Sequence, residues 1–232
     1  MPTKNALKIY VENGIYHIYN RGVEKRKIFM DGQDYKVFLY YLKSYLTSPE
    51  EQAKPPCNLR YFRGAGKGEG GYDLHDNIKL LCYCLMPNHF HLLVKQQTAD
   101  AMVELMRRLG NAYVRYFNER QGRQGPLFQG RYKAVLADSE TYFLHLSRYI
   151  HRNPLELSRF GSGKLGEYPY SSYGEYLGKR TTPWISTDEI MTYFENKTGG
   201  TPSGFFNYGN FVENNPDDSG DVLGGLALDA DD

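Results

Sequence analysis

Residues 78–94 read Ile78-Lys79-Leu80-Leu81-Cys82-Tyr83-Cys84-Leu85-Met86, then Pro87-Asn88, then His89-Phe90-His91-Leu92-Leu93-Val94. The first run is almost entirely apolar, which is typical of a central strand that is buried on both faces. Pro87-Asn88 is a turn signal, and a second apolar run follows it directly. The stretch therefore predicts an antiparallel β-hairpin at the centre of the fold.

Further strands and helices are predicted on both sides of this hairpin. Strands are indicated by β-branched and aromatic residues, and helices by apolar residues that recur every three or four positions. A helix that Asp138 or Ser139 caps must end near Asn153, because Pro154 follows. The predicted strands are 15–21 and 132–137, and the helices are 34–46 (opened by Asp31), 101–120 and 139–153. This order predicts an α+β fold with helices packed on a largely antiparallel sheet.

Three segments lie outside this pattern. Residues 49–77 are rich in proline and glycine and predict an inserted flexible loop within a domain that spans 1–180. Its Gly66 to Gly71 stretch matches a dinucleotide fingerprint in spacing only, because no strand precedes it and no helix follows. Residues 181–198 hold a possible short helix at 186–196. Residues 199–232 predict a disordered acidic tail, because few apolar side chains could offset the entropy of folding.

Charge is distributed unevenly along the 232 residues. The formal net charge is +1, but residues 1–197 contain all 28 basic residues and only 20 of the 27 acidic ones, a net charge of +8. A basic body with 21 tyrosines favours a polyanionic partner with unpaired bases. No run of about 18 apolar residues occurs, so we expect no membrane partner and a soluble, cytoplasmic protein.

The two histidines of His89-Phe90-His91 are candidates for metal binding. Side chains alternate between the faces of a strand, so both imidazoles project to the same side. The sequence has no tetrahedral set of Cys and His, so two histidines, an oxygen ligand and water would suit Mg²⁺ or Mn²⁺ better than zinc. On spacing alone, two histidines on a half-exposed strand are more commonly ordinary polar residues than metal ligands.

A second group of polar side chains lies at the end of the last predicted helix. Tyr149 and Asn153 are four residues apart and so share a face of the helix with His145. Tyr149 could instead pack its ring while Asn153 caps the helix end. Arg148 and Arg152 flank them and are candidates for phosphate contacts or solvated charges.

Four segments carry a resemblance to a known family. They resemble, in the same order, motifs of the single-tyrosine HUH transposases, and specifically of the REP-associated tyrosine transposases. The resemblance extends from about residue 9 to 178 and leaves out the glycine-rich loop and the acidic tail. The segments are Tyr16-His17-Ile18-Tyr19-Asn20-Arg21-Gly22, Met86-Pro87-Asn88-His89-Phe90-His91, Leu127-Phe128-Gln129-Gly130-Arg131-Tyr132-Lys133 and Tyr149-Ile150-His151-Arg152-Asn153-Pro154.

The resemblance implies a fold and a chemistry. The fold would be a ferredoxin-like, RRM-like antiparallel sheet with helices on one face. His89 and His91 would bind a divalent metal, Mg²⁺ or Mn²⁺, with Asn153 as third ligand. Tyr149 would attack a DNA phosphodiester and form a 5′-phosphotyrosine. His17 lies in a matching motif, but the resemblance assigns it no role.

The resemblance also implies a partner: single-stranded DNA that folds into hairpins from repetitive extragenic palindromes, bound by a monomer or homodimer associated with the nucleoid. A module that binds hairpin DNA or RNA without cleavage is the alternative, and a replication-initiator-like nickase is a third possibility. A nickase more often carries a helicase domain, and no Walker-type motif is present. The candidate nucleic-acid contacts are Arg107, Arg108, Arg115, Arg120, Arg131, Lys133, Arg148 and Arg152.

Overall fold

A four-stranded antiparallel sheet with strand order β2-β3-β1-β4 is the centre of the fold. It is seen in a computed structural model that describes residues 10–51, 74–161, 163–195 and 207–214. The strands and the helices α1 and α2 follow the ferredoxin-like order βαββαβ, which confirms the predicted α+β fold. These elements are β1 (Ile15–Arg21), α1 (Gly32–Leu46), β2 (Ile78–Met86), β3 (His89–Gln96), α2 (Ala101–Arg120) and β4 (Lys133–Leu136).

The register of the strands places three aromatic side chains side by side. The predicted hairpin is present, with Met86 opposite His89 across the Pro87-Asn88 turn. Strand β2 is an edge strand rather than the predicted central strand, and it is apolar because helices cover both of its faces. Strand β1 lies between β3 and β4, and Tyr19 pairs with His91. His17 is two residues before Tyr19, so both project to the same face of the sheet as His91.

The two faces of the sheet are covered by different helices. We call one the packing face, where α1 and α2 cover apolar side chains of the strands. Phe90 and Leu92, which alternate with the histidines of β3, belong to this core. Helix α1 begins after Asp31, whose side chain accepts a hydrogen bond from the Gln33 backbone N–H at 2.9 Å. Such a cap satisfies one of the open N–H groups at the helix start.

We call the opposite face the site face. Helix α3 (Glu140–Arg152) covers it, together with the shorter helices α4 (Tyr173–Tyr176), α5 (Asp188–Glu195) and α6 (Tyr208–Asn214). A second buried cluster lies beneath them, including the free thiols of Cys82 and Cys84. The implied arrangement with helices on one face is therefore wrong, because β2 is apolar on both sides and both sides are covered.

The structure corrects part of the predicted disorder at the C-terminus. Within 199–232, residues 208–214 form α6, and Tyr208, Phe211 and Val212 are buried against the second cluster. These three side chains have helical spacing, a signal hidden by the surrounding Gly, Asn and Asp. Residues 199–206 and 215–232 lie outside the described residues, as do 52–73 of the predicted flexible loop.

Two further predicted segments can be compared with the structure. The possible helix at 186–196 is α5, and residues 49–51 of the predicted loop form a short 3-10 turn. No helix in the described part of the chain is long and apolar enough to cross a membrane.

Candidate metal and tyrosine site

The two histidines of β3 are held by neighbours at their Nδ1 atoms. His89 and His91 are buried and lie on the site face. His91 Nδ1 is 2.8 Å from His17 Nε2, and His89 Nδ1 is 2.7 Å from Asn88 Oδ1. Hydrogen bonds to Nδ1 fix the orientation of a ring whose Nε2 binds a metal. His17, to which the sequence assigned no role, is therefore a positioning partner of His91.

Helix α3 brings Tyr149 and Asn153 to these histidines. Asn153 Oδ1 is 3.1 Å from His89 Nε2, while its amide N–H donates to the Tyr149 carbonyl oxygen at 2.9 Å. The Tyr149 ring stands nearly perpendicular to the His91 ring, with centroids 5.4 Å apart. The structure thus brings together, within one chain, the four residues that the resemblance implies for metal binding and attack.

The donor atoms fit a divalent cation. His91 Nε2 is buried and has no hydrogen-bond partner among the described residues. When His89 Nδ1–H donates a hydrogen bond to Asn88 Oδ1, His89 Nε2 presents a lone pair to Asn153 Oδ1, which is also an acceptor. A cation bound by both atoms removes this repulsion. Because the third donor is an amide, no cluster of three His, Cys, Asp or Glu is found in the described ranges.

Burial favours the neutral form of the His17 and His91 imidazoles. It lowers the pKa of His17 to about 3. Burial also lowers the pKa of His91 well below its usual value, and the neighbouring His89 and His17 lower it further. A neutral imidazole has the free lone pair that metal binding requires. The Tyr19 ring stacks on His17 with centroids 4.8 Å apart, and burial raises the pKa of its phenol.

The four candidate arginines of α2 are separated from this site. Helix α2 covers the packing face, so the sheet lies between these side chains and His91. Arg107 and Arg108 pair with Glu104, and the hydrogen bond from Arg107 lowers the pKa of that carboxyl to about 2. Arg120 pairs with Asp31 and Asp34. Arg115 is exposed on the same helix.

Arg148 and Arg152 hold helix α6. Arg148 Nε donates to the Phe211 carbonyl oxygen at 2.9 Å, and Arg152 Nη1 donates to that of Val212 at 2.8 Å. The Arg148 residue is only 3% exposed, so the expected phosphate contact does not fit this arrangement. These arginines lie on the side of α3 that faces α6, whereas Tyr149 and Asn153 face the sheet.

His145 and His151, the two histidines of α3, contact side chains that cover this helix. His151 Nδ1 is 2.7 Å from the Tyr208 hydroxyl, and His151 Nε2 is 2.8 Å from the Ser172 hydroxyl. His145 packs its ring on Phe211, with centroids 5.5 Å apart, rather than joining Tyr149 and Asn153. Of the three residues expected to share a face of the helix, only Tyr149 and Asn153, at its end, lie beside the histidines of β3.

Arg131 and Lys133 are the candidate cations that remain near the site. Together with Tyr19 they line a pocket whose other walls are Asn20, Arg21, Gln129 and Gly130. Sequence reasoning did not assign a role to Tyr19, Asn20, Arg21 or Gln129. Their signal was present, because all four lie inside the segments that carry the resemblance.

The chain is similar to known transposases in sequence over one segment and in fold. Residues 71–153 match the family model described as "Transposase IS200 like", a segment that includes His89, His91, Tyr149 and Asn153. No curated protein matches the chain. A solved structure of a REP-associated tyrosine transposase bound to a REP hairpin is similar to this chain, with a TM-score of 0.52 and 12% identity. The match covers 81% of this chain and 93% of the other.

At this identity the solved structure shows a shared fold. The family model shows in addition that the sequence of residues 71–153 is similar to that of IS200-like transposases. Together they confirm the resemblance to the IS200-like and REP-associated tyrosine transposases that the four motifs indicated.

Proposed function

We propose that this protein is a metal-dependent endonuclease and strand transferase that acts on single-stranded DNA with hairpins. One observation carries the proposal: Tyr149 of α3 packs against His91, beside donor atoms of His89, His91 and Asn153 that suit a cation. A module that only binds DNA has no need of a phenol next to such a donor set.

Each residue has a task in the proposed reaction. His89, His91 and Asn153 would hold the cation, and His17 would keep the His91 ring in orientation through its bond to Nδ1. When bound, the cation supplies a Lewis acid that neutralises charge on the phosphate and orients it. Helix α3 holds the Tyr149 hydroxyl for attack, since its last turn is tied to the sheet through Asn153 and His89.

The covalent step conserves the energy of the cut bond. A bond forms between the Tyr149 oxygen and phosphorus, the bond from phosphorus to the 3′ oxygen breaks, and the phenol proton is balanced by a proton gained at the 3′-OH. The 5′-phosphotyrosine then accepts another 3′-OH in the reverse sense, so joining needs no nucleotide cofactor. An ordinary phenol has a pKa near 10 and is mostly protonated at neutral pH. Its attack therefore needs assistance from the cation or from a neighbouring base.

Hairpin DNA is the substrate that the comparisons favour. The similar solved structure is of a transposase bound to a REP hairpin, and the fold is shared over most of both chains. The net charge of +8 over residues 1–197 supports a polyanionic partner.

The experiment is incubation with labelled palindromic hairpins that carry single-stranded flanks, in Mg²⁺, Mn²⁺ or EDTA, followed by denaturing electrophoresis. We expect a metal-dependent protein-linked band that Tyr149→Phe loses, by at least about a thousandfold, while hairpin affinity in a native gel is kept. An undiminished band in Tyr149→Phe contradicts the nucleophile. If hairpins bind but no covalent species forms on any of them, the module that binds without cleavage is the better account.

A further inference from the structure

A pocket of about 230 Å³ lies on the site face at the end of β1. Its walls are Tyr19, Asn20 and Arg21 from β1, and Gln129, Arg131 and Lys133 from the approach to β4. Pockets for drug-sized ligands usually measure about 300–1,000 Å³. This one therefore suits a smaller group, such as one nucleotide unit of a strand that continues into solvent.

The walls of the pocket are fixed by hydrogen bonds that do not depend on a ligand. The Gln129 backbone N–H donates to the Arg21 carbonyl oxygen at 2.8 Å, and the Asn20 side-chain amide donates to the Gly130 carbonyl oxygen at 3.1 Å. The loop before β4 is thus held against the end of β1. A preformed site binds without the entropic cost of ordering its walls.

The charge of the pocket indicates the class of ligand. Three of its lining side chains, Arg21, Arg131 and Lys133, are cations, and no lining residue is acidic. Lys133 Nζ lies 5.8 Å from the centroid of the Tyr19 ring. Arginine and lysine beside an aromatic ring and side-chain amides are the groups that bind a phosphodiester with its base.

The pocket adjoins the histidine site through Tyr19, which is one of its lining residues. The centroid of the Tyr19 ring lies 4.8 Å from that of His17 and 5.9 Å from that of His91. A strand whose phosphate reaches His91 and Tyr149 would therefore pass over Tyr19. Neither the arginines of α2 nor those that hold α6 are placed on this path.

Resting on the proposed function, we propose that this pocket binds one phosphodiester of the single strand, next to the linkage that Tyr149 attacks. Arg131 and Lys133 contact the phosphate, and Arg21 adds a third positive charge. The pocket would thereby fix which linkage of the flank faces Tyr149.

The test combines a neutral phosphate analogue in the DNA with the removal of one cation from the pocket. A hairpin with single-stranded flanks receives one methylphosphonate at each flank linkage in turn, and its affinity is measured by fluorescence anisotropy with Tyr149→Phe, which cannot cut. In EDTA, where no cation neutralises the phosphate that Tyr149 attacks, we expect one linkage at which the neutral group weakens binding several-fold. In Tyr149→Phe with Lys133→Ala, binding of the unmodified DNA is weaker, the salt slope falls by about 1, and the penalty at that linkage becomes smaller, because two of the three positive charges remain.

The matched control is Arg115→Ala in the same background, because Arg115 is exposed on the packing side. This control should keep the full penalty at that linkage. A penalty that Lys133→Ala leaves undiminished at every linkage, or the absence of any linkage with a penalty, overturns the proposal. Because the readout is binding, coupling found without any covalent adduct would reject the strand-transfer chemistry and retain the pocket as a strand-binding site.

Discussion

Two groups of buried polar atoms, one on each face of the sheet, differ in whether they have hydrogen-bond partners. On the packing face, the fully buried Asp34 carboxylate accepts hydrogen bonds from the Met30 N–H at 2.8 Å, from the Tyr116 hydroxyl at 2.9 Å and from Arg120. On the site face, His91 Nε2 and His17 Nδ1 have no partner in the described part of the chain. Buried polar atoms are normally paired, so these unpaired nitrogens indicate where a ligand completes the structure.

Tyrosines next to the histidines differ from those of the core. Tyr113 on the packing face donates its hydroxyl to the Ile28 carbonyl oxygen at 2.6 Å, and Tyr176 on the site face donates to that of Leu81 at 2.7 Å. The rings of Tyr19 and Tyr149 pack on histidines instead. The abundance of tyrosine, which composition alone relates to stacking on bases, is therefore largely a property of the core.

Among the changes that compare the two faces, the largest effect is expected from removing one metal donor on the site face. His91→Asn keeps an amide near the position of Nδ1, which can bond to His17, and deletes Nε2. A bound metal contributes several kcal/mol to charge stabilisation, so adduct formation should fall at least about a hundredfold. Adduct yield at several Mn²⁺ concentrations, beside hairpin binding in a native gel, measures this. An adduct rate near that of the wild type would remove His91 from the ligand set.

The corresponding change on the packing face should affect stability and leave chemistry intact. Asp34→Asn keeps the shape but removes the charge opposite Arg120, and we expect the free energy of unfolding in urea to fall by about 2 kcal/mol. Adduct formation by the folded protein should be unchanged.

Asp31→Asn is the matched control for this prediction. Asp31 also pairs with Arg120, but its side chain is 52% exposed, and Asn caps a helix as well as Asp does. Its loss should be no more than about 1 kcal/mol. Equal losses from the two variants would show that burial of Asp34 adds nothing to the pair.

Local pattern was enough to predict the elements of the sheet. The hairpin at residues 78–94 and the stripe of α2 follow from alternation and helical period, and both are present. The order of motifs along the chain, rather than any single one, carried the resemblance. By contrast, α6 is a short helix that is stabilised by packing on α3, and contacts at such distance along the chain leave little local signal.

Which arginines are available to DNA could not be read from the sequence. Arg148 and Arg131 look alike as isolated cations, but one bonds to a carbonyl oxygen of α6 and the other lines the pocket beside Tyr19. Only the tertiary structure distinguishes these roles. The same holds for His17, whose contact with His91 joins residues 74 positions apart.

The smallest effect is expected from a substitution on the side of α3 that faces α6. Arg152→Met keeps the length of the side chain and removes the hydrogen bond to the Val212 carbonyl oxygen. Since Arg152 is partly exposed, the free energy of unfolding should fall by only about 1 kcal/mol. Urea unfolding followed by circular dichroism measures the change, and hairpin affinity at several salt concentrations tests for a phosphate contact.

The salt dependence distinguishes an anchor of α6 from a contact to DNA. A lost phosphate contact reduces the salt slope of binding by about 1, whereas a lost anchor leaves the slope unchanged. Lys133→Met provides the reference, because Lys133 lines the pocket beside Tyr19. If Arg152→Met lowered the slope as much as Lys133→Met does, Arg152 would have to leave α6 when DNA binds. Helix α6 would then be released when the substrate binds, rather than staying fixed to α3 throughout the reaction.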